Sequence, residues 1–533
     1  MTPVDTIVAE RTKTRTPWAR RWLEGAGISI LLAPGVLWGE LSSTNNYAFH
    51  RLLPFNTIDR ALALDLVAGS LLAMLVAWGI EKIVDTGVAR QRPGRRSYTP
   101  LLWTLWISFA LEMGVLSLMQ GWIIAWSWVS PIRTFGLAFA AGFILWAASA
   151  RLYDRAIHFV RTGLMLAGLC LFWMVPLLIA HSLARQPWDA TDFSRPVPVH
   201  DSNHPRIVWL LFDGMSYDQV FVHRWPDLAM PNFDRLRARS VTFSSVSPEG
   251  QFTENIVPSL LLGKTISKVV ATRDGWPKYR AEGDWVPFEP NQTLFADAKR
   301  NGWTTGIVGF WNPYCRILKD QLDLCHMDLA PLAIGGMSRD NNTIENAMAP
   351  VYQLRRILFG PPAHESNSNP TFDEFTSIDR KLIMDKDLDL CFLHLAAPHP
   401  PGFYDRRTQK LGTGSHSYVD NLALADRLLG VLLDDLDRSG TADRTTLIIS
   451  SDHSWRVWLW RNQVGWTDED ELASAHGKLD DPRPMLMVRF PHEQHASEIS
   501  RPVPLLWMHG LLESMMAGQL ESRQQLEDWA ARQ

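Results

Sequence analysis

The stretch TLIISSDHSWR, residues 446–456, runs an aliphatic segment (Leu447, Ile448, Ile449) into two serines and then into Asp452-His453. A carboxylate beside an imidazole can hold a divalent metal or move a proton. Two other apolar runs end in the same kind of residue. IVWLLF (207–212) stops at Asp213-Gly214, and LDLCFLHL (388–395) carries His394 and is followed by His399. A single aspartate after a strand is usually a turn residue, and a lone histidine is usually structural. Metal-type ligands at the ends of three strands point instead to chemistry.

The elements that must position these residues are legible around them. TTGIVGF (304–310) reads as a fourth buried strand. PNFDRLRARS (231–240), residues 293–301 and YVDNLALADRLLGVLLDDLDR (418–438) have helical spacing. Continuous apolar strands alternating with amphipathic helices predict an α/β domain around a largely parallel central sheet. In such sheets ligands sit beyond the carboxyl ends of the strands, where Asp213, His394, His399, Asp452 and His453 fall. GPPAHESNSNPT (360–371) reads as a loop. His416, in GTGSHS, reads as an exposed loop residue.

This domain occupies only part of the 533 residues. A net charge of −4 gives no reason to expect a nucleic-acid partner. Residues up to about 185 are rich in Trp, Leu, Ala and Gly. They contain five apolar segments, at 23–41, 63–84, 101–122, 132–150 and 163–184. Each approaches the ~20 residues a helix needs to cross a bilayer. The third carries Glu112, which at that depth would face the bundle interior. Arg11, Lys13, Arg15, Arg20 and Arg21 precede the first span. Arg90, Arg92, Arg95 and Arg96 follow the second, and Arg151, Arg155 and Arg161 follow the fourth. Basic loops stay in the cytoplasm, so an odd number of spans would export everything after about 185. The expected organisation is a cytoplasmic tail (1–22), a five-helix transmembrane domain (23–185), a Pro- and Asp-rich linker (186–205) and an exported domain (206–533). Cys315 and Cys325 would lie in the exported part, where an oxidising compartment allows pairing.

In ordered stretches over most of 205–490, the sequence resembles the sulfatase-like branch of the alkaline phosphatase superfamily. LLFDGMSYD is similar to the family's first strand with its acidic ligand, here Asp213. MPNFDRLRARSVTFSSV (230–246), FTENIVPSLLLGK (252–264) and HLAAPHPPGFY (394–404) resemble its next segments. The helix from Tyr418 and the strand ending at Asp452-His453 resemble its metal-binding helix–strand unit. Thr253, ten residues before Gly263, stands in the nucleophile position. The sulfatase motif positions for Pro and Arg hold Asn255 and Val257. A threonine nucleophile is typical of the phosphoryl-transferring members, including membrane-anchored phosphoethanolamine transferases and lipoteichoic acid synthases. Two departures are visible: Asp213 replaces the Glu usual in those transferases, and Ser454 replaces the Gly of an Asp-His-Gly.

The resemblance implies a metal site of Asp213, Thr253, Asp452 and His453. Oxygen ligands with one imidazole suit Zn²⁺ and would also accept Mn²⁺ or Mg²⁺. His399 and His476 resemble the histidines that contact the phosphoryl group or protonate the leaving oxygen. Thr253 would open a helix whose N-terminus favours phosphate. The implied enzyme moves a phospholipid headgroup, phosphoethanolamine or phosphoglycerol, through a phospho-threonine intermediate onto an envelope glycan or lipid. It would reside in a bacterial cytoplasmic membrane with its catalytic domain outside. The alternatives are a tethered phosphodiesterase or sulfatase-like hydrolase, and a silent lipid-binding regulator.

Overall fold

A computed structural model of the chain describes residues 18–32, 56–90, 102–109, 111, 131–183, 192–196, 205–271, 277–281, 283–328, 342–348, 370–461 and 465–533. The chain divides into two compact units, one built on the N-terminal helices and one on most of the remainder.

The N-terminal unit contains α1 (Trp18–Leu32), α2 (Asn56–Arg90), α3 (Pro131–Ala148), α4 (Ala150–Gly168) and α5 (Leu171–Leu183). Among the described residues, two helical stretches are long and apolar enough to cross a membrane, Asp59–Ile83 and Arg151–Ala180. Five such spans were expected. Most of the expected third span, including Glu112, and the end of the first lie outside the described residues. The fifth begins earlier than expected, because Arg151, Arg155 and Arg161 are on α4 and not in a loop. Charge pairing accommodates Arg161 there. Arg161 reaches Glu24 of α1 at 2.8 Å and Glu81 of α2 at 2.9 Å, and Arg21 reaches Glu81 at 2.7 Å. A helix can carry an arginine through an apolar bundle when carboxylates on its neighbours balance it.

The second unit is an α/β domain on a nine-stranded mixed sheet. Its strands are β1 (Asp192–Ser194), β2 (Arg206–Phe212), β3 (Val241–Phe243), β4 (Thr305–Phe310), β5 (Leu324–Asp328), β6 (Leu390–Leu395), β7 (Thr445–Ser450), β8 (Leu486–Arg489) and β9 (Ser497–Ile499). Their order is β1-β5-β4-β6-β2-β7-β8-β3-β9. The five strands from β5 to β7 run parallel, and antiparallel pairings flank them. The stretch expected to be a linker supplies the edge strand β1, which pairs antiparallel with β5. β2 is buried along its whole length, as its unbroken apolar run requires of a strand covered on both faces.

Four helices of this unit matter for the site: α6 (Pro231–Arg237), α7 (Thr253–Leu262), α8 (Pro370–Met384) and α9 (Tyr418–Ser439). α9 starts on a capping box, with Ser417 Oγ accepting from Asp420 N and the Asp420 carboxylate accepting from Ser417 N. It ends at Gly440, whose φ of 72° is one that glycine adopts without strain. Such an N-cap contributes about 1 kcal/mol. Asp426 of α9 accepts from the backbone N–H groups of Asn232 and Phe233 at 3.0 and 2.9 Å. These are first-turn donors of α6, which otherwise has no side-chain cap. Phe233 then packs edge-on against Phe212 of β2. Cys315 and Cys325, the latter in β5, form a disulfide.

Candidate active site at the carboxyl edge of the sheet

β2 lies between β6 and β7, with Phe212 opposite Leu395 and Leu211 opposite Ser450. All three strands are parallel and end level, so Asp213, His394 and Asp452 reach one edge. The turn after β2 is fixed by main-chain anchors. Gly214 has φ 73°, and a Cβ there would lie 3.3 Å from the His453 ring, so a side chain would both strain the backbone and crowd the site. Gly214 N donates to Asp452 Oδ1 at 3.1 Å, and Met215 N to Ser451 Oγ at 2.8 Å. The Tyr418 hydroxyl accepts from Ser216 N and donates to Gly214 O. Ser451 Oγ donates to His453 O at 2.6 Å, which shapes the turn after β7.

α7 brings Thr253 to this edge. Its Oγ1 donates to Asp452 Oδ2 at 2.7 Å and lies 3.4 Å from His453 Nε2. His453 Nδ1 sits 2.8 Å from the Ser454 carbonyl, which can only accept. The proton therefore resides on Nδ1, and the Nε2 lone pair faces Thr253, Asp213 (3.4 Å) and Asp452 (3.3 Å). This is the tautomer a metal-binding histidine needs.

Asp213 supplies the test of whether a cation fits. Both of its carboxylate oxygens are buried and have no hydrogen-bond partner. A buried carboxylate left this way is costly unless a cation meets it. One ligand atom each from Asp213, Asp452 and His453 lies within 4.8 Å of the others. Two carboxylates and a correctly oriented imidazole, all buried, fit a divalent metal ion, with Thr253 Oγ1 at hand as a further oxygen.

The histidines divide. His394 is fully buried, with Nδ1 2.8 Å from the Tyr314 hydroxyl and Nε2 3.6 Å from Asp213 Oδ2. The Tyr314 hydroxyl accepts from Asn312 Nδ2 at 3.3 Å, so it is free to donate to His394 and turn that ring's Nε2–H toward Asp213. His394 thus faces a site carboxylate from within the core. His399 Nε2 lies 3.9 Å from Asp213 Oδ1, and its ring stands edge-on to Trp460 at 5.1 Å. His476 is not brought into this group. It is exposed at the end of the helix Asp468–His476, where its ring meets Trp225 and His223. The capping box of Thr467 and Asp470 sets where that helix starts. His416 ends a strand of a two-stranded hairpin opposite Gly402 and is half-buried.

Burial opposes the charge on Asp213, but His399, His394 and His453 overcome it and hold its carboxyl well below the usual carboxylate range. Burial lowers His399 to about 4 against the pull of Asp213, so its imidazole is neutral near pH 7. Burial likewise raises the carboxyl of Glu254, the residue after Thr253. Sequence reasoning missed Arg456, whose Nη1 donates to Gln251 O at 2.6 Å and whose Nη2 lies 3.4 Å from His399 Nε2. Its only signal was proximity: it lies four residues after Asp452.

Residues 205–458 match the sulfatase family. That match gives the segment a sulfatase-like domain of the sulfatase and phosphatase enzyme class. Similar solved structures include a protein in the alkaline phosphatase superfamily from Vibrio parahaemolyticus (14% identity, TM-score 0.34, 61% of this chain and 69% of that one). Another is the phosphonate monoester hydrolase of Agrobacterium radiobacter (13%, TM-score 0.37, 59% and 74%). A third is murine ectonucleotide pyrophosphatase/phosphodiesterase 5 (11%, TM-score 0.34, 58% and 95%). No curated protein matches the sequence.

Proposed function

Residues 205–458 form a sulfatase-family domain, and on that premise we propose a metal-dependent phosphotransferase that moves a phospholipid headgroup onto an envelope acceptor. The observation that carries the reading is the threonine hydroxyl of Thr253, buried and hydrogen-bonded to Asp452 Oδ2 at 2.7 Å. A sulfatase of this family would place a Cys or Ser there for conversion to an aldehyde. Threonine cannot become that aldehyde, and its hydroxyl is a nucleophile only when activated.

Asp213, Asp452 and His453, with Thr253 Oγ1, would hold the metal, Zn²⁺ first and Mn²⁺ or Mg²⁺ next. When bound, the ion supplies positive charge that eases the hydroxyl proton off and steadies charge on the phosphoryl oxygens. Thr253 Oγ1 forms a bond to phosphorus as the ester bond to diacylglycerol breaks. Its proton passes to Asp452 Oδ2, the departing diacylglycerol oxygen takes a proton from solvent, and Asp452 Oδ2 would return its proton to Oγ1 in the second displacement. In the second displacement an acceptor hydroxyl attacks the phospho-threonine and Oγ1 leaves. His399, neutral at rest, is suited to take the acceptor's proton. The N-terminus of α7 assists, since Phe252 offers no side-chain cap to its first N–H groups.

The donor would be phosphoethanolamine or phosphoglycerol phospholipid, and the acceptor an envelope glycan or lipid. A multi-pass membrane anchor of five apolar segments, with the catalytic domain on the outer face, would keep the site near both. The rival reading, a tethered phosphodiesterase or sulfatase-like hydrolase, draws on Asp213, which stands where those transferases use Glu. The two are separated by incubating the purified protein with labelled phosphatidylethanolamine or phosphatidylglycerol, with and without envelope glycan. A transferase releases diacylglycerol and labels the glycan. A hydrolase cleaves small soluble phosphodiesters at equal rate whether or not an acceptor is present.

A further inference from the structure

Arg456 is held at the active-site edge with only part of its guanidinium hydrogen-bonded. Its Nη1 donates to Gln251 O at 2.6 Å, two residues before Thr253. Its Nη2 faces His399 Nε2 at 3.4 Å, and its guanidinium carbon lies 5.6 Å from the centre of the Phe252 ring. Its Nε is buried and has no hydrogen-bond partner among the described residues. A buried guanidinium N–H without an acceptor marks a place where an acceptor is missing. The side chain cannot easily swing away. Trp455 before it is stacked on Tyr418 at 4.4 Å and on Trp466 at 5.4 Å, and Trp460 beyond it is buried.

The neighbourhood explains what that acceptor carries. Burial works against the charge on this guanidinium, and three carboxylates, Asp213, Asp452 and Glu254, work in its favour. None of them makes a hydrogen bond to it, so their field acts without consuming its donors. With a divalent ion at Asp213, Asp452 and His453 the local charges balance, and an arriving anion meets no net repulsion. Guanidinium donors suit the paired oxygens of a tetrahedral oxyanion better than they suit a single alkoxide.

We propose that Arg456 is a catalytic residue that binds a non-bridging oxygen of the phosphoryl group held over Thr253. This rests on the reading of the site as one that holds a tetrahedral phosphoryl group, but not on which lipid donates it. The role belongs to the guanidinium and not to its charge alone: Nη1 is committed to the loop that leads into α7, which leaves Nε and Nη2 to meet the oxyanion.

The test is calorimetric binding of inorganic phosphate to the full-length, Zn²⁺-loaded protein, comparing wild type with Arg456→Gln and Arg456→Lys. Loss of a charge-assisted pair should weaken phosphate about tenfold or more in Arg456→Gln. Arg456→Lys should recover only part of that, with metal content and melting temperature unchanged in both. Phosphate affinity equal to wild type in Arg456→Gln overturns the proposal. If Arg456→Gln loses its metal or its fold, Arg456→Lys decides, and wild-type affinity there overturns it equally. Phosphate binding needs no turnover. Weakened binding in the variants alongside an inactive wild type on phospholipids would therefore overturn the donor reading and leave this one standing.

Discussion

Thr253 Oγ1 donates a 2.7 Å hydrogen bond to Asp452 Oδ2, although 199 residues separate the two in the chain. The nucleophile candidate is therefore already aligned on the group that would take its proton. Thr253→Ala should lower turnover at least about a thousandfold, with the fold intact by circular dichroism. Thr253→Ser, which keeps the hydroxyl, should retain measurable turnover. Steady-state rates of diacylglycerol release read both, and full activity in Thr253→Ala would remove the proposed mechanism.

Metal should stabilise this protein. With both Asp213 oxygens buried and unpartnered, an ion bound only to the folded state adds about 2.7 kcal/mol at a hundred times its dissociation constant. Added Zn²⁺ should raise the melting temperature of the chelator-treated protein. Asp452→Ala should abolish that rise and leave the metal unbound in elemental analysis.

The parallel sheet and its carboxyl-edge ligands were legible because unbroken apolar runs admit few other structures, and such strands end where the polar residues begin. The strands ending at Asp213 and Asp452 appear where expected. What the sequence hid was long-range pairing. Arg151, Arg155 and Arg161 look like a basic loop, and nothing local announces that Glu24 and Glu81 meet Arg161. Residues 192–194 look like linker, because three residues give no periodicity and only the docked edge of β5 makes them a strand. His476 sits in a stretch resembling the family, yet its helix carries it to Trp225. Resemblance places a residue along the chain, and the packing of its helix decides where the ring goes.

Arg206, at the opposite end of β2 from the site, is fully buried. It donates to the carbonyls of Leu388, Ile383 and Asp385 at 2.9–3.0 Å and to Thr441 Oγ1 at 2.7 Å. Arg206→Met would leave several buried acceptors unmet, each costing about 1–3 kcal/mol. Denaturant titration should show a loss on the order of 3–5 kcal/mol. The folded fraction should keep its metal and its phosphate affinity, since no atom of Arg206 enters the site.

The Cys315–Cys325 disulfide closes a short loop, with a sequence separation of 10. Replacing both cysteines by serine should cost about 2–3 kcal/mol through the wider freedom of the unfolded chain. A melting curve compared with wild type reads the effect, and turnover per folded molecule should not change.

The central claim is that Thr253 is the residue that carries the transferred group. Peptide mass spectrometry of protein quenched during turnover on phosphatidylethanolamine or phosphatidylglycerol addresses it directly. A phosphoethanolamine or phosphoglycerol mass on the peptide containing Thr253, localised to that residue and missing in Thr253→Ala, is the predicted result. Turnover with Thr253 unmodified at every quench time, and an adduct on another residue, would contradict it.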